Sequence, residues 1–203
     1  MLDLIIKGGP VMWPLLATSL VAVSVVVERL LFILSEKAKR DTDTVESVLK
    51  AAEEGRLAEA SQLAAKSRDF VVCAIGFALQ HDHESFANAM LRGARRELRR
   101  FSRGLSALDT IVTLAPLLGL LGTVTGMIHA FGLLGSQTLD TPTAITGGIA
   151  QALIATAFGL GIAITALIPF NYLNTQLENA REDIEEAATR LEMALKVSPQ
   201  PSE

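Results

Sequence analysis

The chain has 203 residues, and its mean hydropathy of +0.38 is higher than is usual for a soluble domain. The formal net charge of −4 does not indicate nucleic-acid binding, and the single cysteine, Cys73, excludes a disulfide scaffold. Lys, Arg, Asp and Glu are absent from residues 8–27, 110–139 and 141–177. Because about 20 apolar residues cross the hydrocarbon core as a helix, these stretches exclude an ordinary soluble enzyme.

The first apolar stretch predicts a transmembrane helix within residues 1–34. Trp13 suits the outer membrane interface, and Glu28 closes the stretch at its inner end. The alternative is a cleaved signal peptide with Lys7 as its basic region. The stretch is long for a signal peptide, and no cleavage site of small residues follows it, which favours a retained span.

Two further spans are predicted at residues 108–135 and 144–172, joined by a turn-rich hairpin at 136–143. Residues 35–106 contain thirteen Lys and Arg, whereas the hairpin contains none. The positive-inside rule therefore predicts that the N-terminus and the hairpin lie outside, with the long loop and the C-terminus in the cytoplasm.

The cytoplasmic region 35–107 reads as a set of helices. Two short helices over 44–54 and 57–67 are separated at Gly55, and a more apolar helix follows over 70–80. Asp82 is predicted to cap a further helix that runs unbroken into the second span, because no proline intervenes before Pro116.

Six arginines follow this last helix towards the membrane: Arg92, Arg95, Arg96, Arg99, Arg100 and Arg103. They form either a basic collar for anionic lipids or an acidic partner, or a positive-inside signal whose members pair with acidic residues of the same chain. The second interpretation is favoured.

Residues 173–203 are predicted to form a cytoplasmic helix and tail. Its apolar positions alternate spacings of four and three, as in a heptad seam: Leu173, Leu177, Ala180, Ile184, Ala187, Leu191 and Ala194. The seam serves either self-assembly or packing against the protein's own helices, and the sequence leaves both open.

Small residues mark one face of each inner span, where they allow helix backbones to approach closely in lipid. They are Ala115, Gly119, Gly122 and Gly126 in the second span, and Ala155, Gly159 and Ala163 in the third. The first span has no glycine within it and is rich in Val and Leu, as suits a lipid-facing helix. The second and third spans are therefore predicted to form the inner layer of an all-α membrane protein.

Polar side chains in the inner spans are mostly threonines, which usually bond to a backbone carbonyl one turn back. Acidic and basic residues are expected to be absent from both spans, and His129 is read as a hydrogen-bonding residue rather than a proton relay. If the protein handles ions, the titrating acid is expected to come from another chain.

The segments Thr113–Ile128 and Gly148–Pro169 resemble the second-span and third-span signatures of the ExbB/TolQ/MotA family, closest to its ExbB/TolQ branch. The resemblance implies a homopentamer around a central pore, lined by the second and third spans. It also implies partners: ExbD- or TolR-like subunits inside the pore, each bringing an aspartate, and a TonB- or TolA-like transducer.

By the same resemblance, Thr123 and Thr156 match the family's two pore threonines and would face the partner's aspartate. Gln151 stands where many relatives have Glu, so a proton-carrying role at this pore position is in doubt, whereas a hydrogen-bonding role survives. The implied function is a motor in the bacterial inner membrane that uses H⁺ or Na⁺ as its coupling ion and needs no cofactor or metal.

Two other functions are weighed against this one: a self-sufficient ion channel and a membrane scaffold. The lack of intramembrane carboxylates counts against the channel, and the pore-like spans count against the scaffold. No nucleophile constellation or phosphate-binding loop indicates an enzyme. The pair His81 and His83 is too sparse for a metal site.

Overall fold

The structure is a computed structural model that describes residues 8–81, 85–132 and 141–197. Within these ranges the chain folds into seven helices, which confirms the all-α prediction. They are α1 (Met12–Lys39), α2 (Thr42–Glu53), α3 (Leu57–Lys66), α4 (Phe70–Gln80), α5 (Phe86–Ser102), α6 (Leu105–Gly132) and α7 (Thr141–Val197).

Three helices are long and apolar enough to cross a membrane, as the sequence predicts. They are α1 and α6, with 28 residues each, and the part Ile145–Leu195 of α7. At about 1.5 Å per residue each exceeds the roughly 30 Å of the hydrocarbon core.

The chain divides into two compact units. The membrane unit comprises Met1–Arg29 and Gly104–Tyr172, and the polar unit comprises Leu30–Arg103 and Leu173–Glu203. Helices α1 and α7 each contribute to both units.

In the membrane unit, α1 packs against α6 and α7 through two apolar clusters. The larger cluster combines Val11, Met12 and Leu15 of the α1 region with Leu118 of α6 and with Phe158 and Ile162 of α7. The second consists of Ala22, Ile111 and Ala166, one from each helix. The first span therefore covers one side of the α6–α7 pair.

The polar unit is built around α4, whose residues from Phe70 to Ile75 are buried apart from Cys73, which is half-buried. Phe101 of α5 contacts Phe32 and Phe70 edge to face, with ring centroids 5.4 and 5.1 Å apart. Gly55 separates α2 from α3 at φ +77°, as the sequence predicts.

The prediction that one helix runs unbroken into the second span is wrong. Helix α5 ends at Ser102, α6 begins at Leu105, and Gly104 between them has φ +80°. Glycine adopts this left-handed conformation without a steric penalty, so it can end a helix where no proline is present. The predicted cap, Asp82, lies outside the described residues.

The heptad seam of α7 is largely buried within the polar unit, because Leu173, Ala180, Ile184, Ala187 and Leu191 are each at most 3% exposed. Arg190 of the same helix forms ion pairs with two residues of α2, at 2.8 Å from Glu46 and 3.2 Å from Glu53. Of the two readings left open by the sequence, the structure supports packing against the protein's own helices.

Candidate functional site

Helices α6 and α7 approach each other closely along their small residues, all of which are buried: Ala115, Gly119, Gly122, Gly126, Ala155, Gly159 and Ala163. A Cβ atom added to Gly159 would lie 2.5 Å from the Ala115 carbonyl oxygen, and one added to Gly126 would lie 3.0 Å from Ala152 Cβ. Glycine is required here because a side chain would push the two backbones apart.

Both predicted pore threonines lie beside this seam and are half-buried. The hydroxyl of Thr156 donates a 3.0 Å hydrogen bond across the seam to the carbonyl oxygen of Gly119. The hydroxyl of Thr123 donates a 2.7 Å hydrogen bond to Leu120 within its own helix. Each hydroxyl hydrogen is therefore used by a backbone carbonyl, and the oxygen keeps lone pairs for a further partner.

The two threonines occupy the same flank of the α6–α7 pair. Thr123 directly follows Gly122, and Thr156 directly follows Ala155. These two preceding residues face each other across the seam, because a Cβ atom added to Gly122 would collide with the Cβ atom of Ala155. Each threonine is thus turned by about 100° from the seam in the same rotational sense. Because the helices run antiparallel, this rotation brings both side chains to one side, and Thr123 lines an open surface there with Met127 and Ile128.

Gln151 lies on the other flank, against the turn that precedes α1. A Cβ atom added to Gly9, which has φ +75°, would collide with the Gln151 amide. Gln151 and Thr156 are five positions apart on α7, so their side chains point about 140° away from one another. The structure does not bring this glutamine to the threonine flank.

Four further threonines of the inner spans bond within their own helices. The hydroxyls of Thr110, Thr113, Thr125 and Thr165 donate to carbonyl oxygens three or four residues earlier, at 2.8 to 3.2 Å. His129 is exposed near the end of α6. These threonines have the structural role that the sequence predicts.

One acidic residue was missed by sequence reasoning. The expectation of no carboxylate in the inner spans is wrong at Asp109, because α6 begins at Leu105 and includes it. The signal was available, since Asp109 falls inside the span predicted at 108–135. Its carboxylate is exposed.

The six arginines of α5 and its end behave in two ways. Arg100 pairs with two buried carboxylates of the polar unit, at 2.8 Å from Glu36 and 2.5 Å from Glu97. Arg92 lies over the Phe77 ring. The others, Arg95, Arg96, Arg99 and Arg103, are exposed.

Of the two histidines judged too sparse for a metal site, only His81 lies within the described residues. His81 Nδ1 lies 2.8 Å from the carbonyl oxygen of Phe77, and its ring stacks on that of Phe77. This contact holds the imidazole at the end of α4. His83 lies outside the described residues.

The three membrane-length helices define a polytopic helical membrane protein. Two of them pack through glycines, with threonine hydroxyl groups beside the seam. Residues 57–186 match the MotA/TolQ/ExbB proton channel family. The chain belongs to this family, which confirms the resemblance drawn from the two span motifs.

The relatives carry names of the same kind. The chain is 41% identical over 180 residues to the putative biopolymer transport protein ExbB-like 1 of Synechocystis, covering 85% of this chain and 70% of the relative. It is 39% identical over 98 residues to the biopolymer transport protein ExbB of Neisseria gonorrhoeae, covering 48% and 44%. The Tol-Pal system protein TolQ of Haemophilus influenzae is 37% identical over 95 residues, covering 47% and 42%.

Proposed function

We propose that this protein is the pore-forming subunit of an ion-driven motor in the bacterial inner membrane, which couples cation flow to mechanical work on the cell envelope. One observation carries the proposal. Thr123 and Thr156, from two different helices, present hydroxyl groups on the same flank of the α6–α7 pair, and α1 covers the opposite flank. Membership of a proton channel family supports it.

The hydrogen bonds of the two threonines determine what the site binds in this arrangement. Because both hydroxyls donate to backbone carbonyls, each offers only lone pairs outward. Such a site accepts a hydrogen bond from a protonated carboxyl group or coordinates Na⁺. A deprotonated carboxylate would require a hydroxyl to release its carbonyl and turn outward, so the arrangement distinguishes the two states of a titrating acid.

The acid is proposed to come from an ExbD- or TolR-like subunit whose membrane helix packs on the threonine flank. This flank is otherwise apolar: Leu120, Leu153 and Leu160 are 57%, 64% and 47% exposed. Large exposed apolar side chains next to hydroxyl groups suit a helix that carries one carboxyl group among apolar residues.

The assembly is proposed to be a homopentamer, with the N-terminus in the periplasm and the C-terminus in the cytoplasm. A TonB- or TolA-like transducer would receive the work, which includes import of the TonB-dependent kind. The names of the relatives, biopolymer transport and Tol-Pal system, support this class of process. The family is a channel family rather than an enzyme class.

The first test is native mass spectrometry of the detergent-extracted chain, expressed alone and with an ExbD- or TolR-type partner. We expect five copies alone and two added partner chains on co-expression. A monomer or dimer that ignores the partner would refute the assembly and favour a self-sufficient channel or a scaffold.

A further inference from the structure

Asp109 places an exposed carboxylate in the second turn of a helix long enough to cross a membrane. Its backbone carbonyl accepts a 3.1 Å hydrogen bond from the hydroxyl of Thr113. Among the described residues, its side chain forms no ion pair or hydrogen bond. Helix α6 exceeds the hydrocarbon core by about 12 Å, so Asp109, about 6 Å from its start, lies near one membrane interface. Ionisable side chains on membrane-spanning helices are rare and often belong to ion pathways.

The position of Asp109 on α6 connects it with the threonine flank. Asp109, Pro116 and Thr123 are seven residues apart, and seven residues fall only about 20° short of two helical turns. The three therefore share one face of α6. Asp109 and Thr123 are separated by about 21 Å along the axis.

Pro116 also changes the backbone hydrogen bonding of α6. Pro116 lies inside α6 and has no N–H to donate to the carbonyl oxygen of Val112. The seam residues Leu108, Ile111 and Ala115 occupy a different face and are buried. Pro116 thus leaves one carbonyl of α6, about one turn from Asp109, without its usual helical donor, while the seam remains apolar and closed.

We propose that Asp109 is the inner acceptor of the coupling cation, between the threonine site and the cytoplasm. This inference rests on the proposed function. When the cation is H⁺, the O–H bond of the partner's acid breaks, water carries the proton, and a new O–H bond forms on Asp109. Asp109 then gives the proton to cytoplasmic water and returns to the carboxylate. When the cation is Na⁺, the same carboxylate coordinates it.

The test uses the complex of this chain with its ExbD- or TolR-type partner in vesicles of phosphatidylethanolamine and phosphatidylglycerol. Cation uptake is driven by a membrane potential and followed with an internal pH dye in sodium-free buffer, and with a sodium dye in sodium buffer. Comparison of these two measurements, referred to below as the two arms of the test, identifies the transported cation. Native mass spectrometry checks the assembly of every variant.

We compare Asp109→Asn and Asp109→Glu with a matched control, Thr110→Val. Thr110 is the next residue, is also exposed, and is turned by about 100° from Asp109. We expect Asp109→Asn to lower cation flux by about tenfold or more, because an amide cannot take up the charge. Asp109→Glu and Thr110→Val should keep flux close to that of the wild type.

Unchanged flux in an assembled Asp109→Asn complex would overturn the role of Asp109 and leave the proposed function intact. Loss of assembly in Asp109→Asn would also overturn it, since the carboxylate would then be a structural partner of a neighbouring chain. A wild-type complex without flux in either arm would refute the proposed function itself, and the role of Asp109 with it.

Discussion

Arg40 Nη1 lies 2.9 Å from both carboxylate oxygens of Asp69, a residue whose side chain is fully buried. Asp69 also accepts hydrogen bonds from the backbone N–H groups of Val71, at 2.8 Å, and Asp41, at 2.9 Å. One carboxylate therefore caps α4 and fixes the segment between α1 and α2. Nη2 of Arg40 adds a 2.9 Å bond to Asp183 of α7.

We predict that Asp69→Ala destabilises the protein by about 3 kcal/mol, because it uncaps α4 and leaves Arg40 without its buried partner. The measurement is the thermal unfolding midpoint of the detergent-solubilised protein. Asp183→Ala is the control: this side chain is 42% exposed, so its loss should cost at most about 1 kcal/mol. Equal effects of the two variants would contradict the assigned role of Asp69.

The second prediction concerns the stability of the α6–α7 contact at Gly159. Gly159→Ala would place a methyl group 2.5 Å from the Ala115 carbonyl oxygen, and we expect a loss of about 1–3 kcal/mol. Gly161→Ala is a matched control two residues along the same helix, with no atom within 4 Å of the added Cβ. It should be neutral or slightly stabilising; a similar loss there would show that the seam is not the cause.

The hydrogen bonds of Thr156 and Thr123 differ in whether they connect two helices or lie within one. Thr156→Val removes a hydrogen bond between two helices and should cost about 0.6 kcal/mol, whereas Thr123→Val removes one within a helix and should cost less. Both variants should abolish coupled cation flux in vesicles, because the lone pairs of the site are lost. Serine at either position should retain flux.

Thr125→Val is the control for this pair. Thr125 also donates only to carbonyls of its own helix, at 2.9 and 3.2 Å, but it lies about 160° around the helix from Thr123. Its replacement should leave flux unchanged. Full flux in Thr123→Val and Thr156→Val would refute their assignment to the ion site.

The position of Gln151 tests whether the ion pathway is confined to the threonine flank. Its amide packs against Gly9, away from the threonines. We therefore expect Gln151→Ala to retain cation flux while it lowers the thermal unfolding midpoint. A loss of flux as large as that of Thr156→Val, with unchanged stability, would place Gln151 on the pathway.

The reactivity of the Cys73 thiol in the polar unit should depend on pH. Burial raises the pKa of its thiol, the negative charge of Glu97 adds to the effect, and Arg100 opposes it. A raised pKa keeps the thiol protonated at neutral pH, so maleimide labelling of the folded protein should accelerate only above the ordinary range near about 8.5. Protein denatured in detergent should show the ordinary profile, and identical profiles would contradict the prediction.

The sequence by itself determined the three apolar helices, because a span of lipid demands a length and composition that can be counted along the chain. It also determined the family, through two span motifs, and the small-residue faces, which follow from helical periodicity alone. One prediction failed where local rules compete, because Gly104 ends a helix that contains no proline. The expectation of no acidic residue in the inner spans conflicts with the sequence itself, since Asp109 lies inside the predicted span 108–135.

Tertiary structure alone decided which flank each polar residue occupies. Thr123 and Thr156 meet on one side because two antiparallel helices touch at Gly122 and Ala155, whereas Gln151 turns towards Gly9. It also decided that the α7 seam packs within its own chain, through partners such as Glu46 that lie far away in sequence. Periodicity fixes the angle between residues of one helix, but only contacts between helices fix the direction in which each face points.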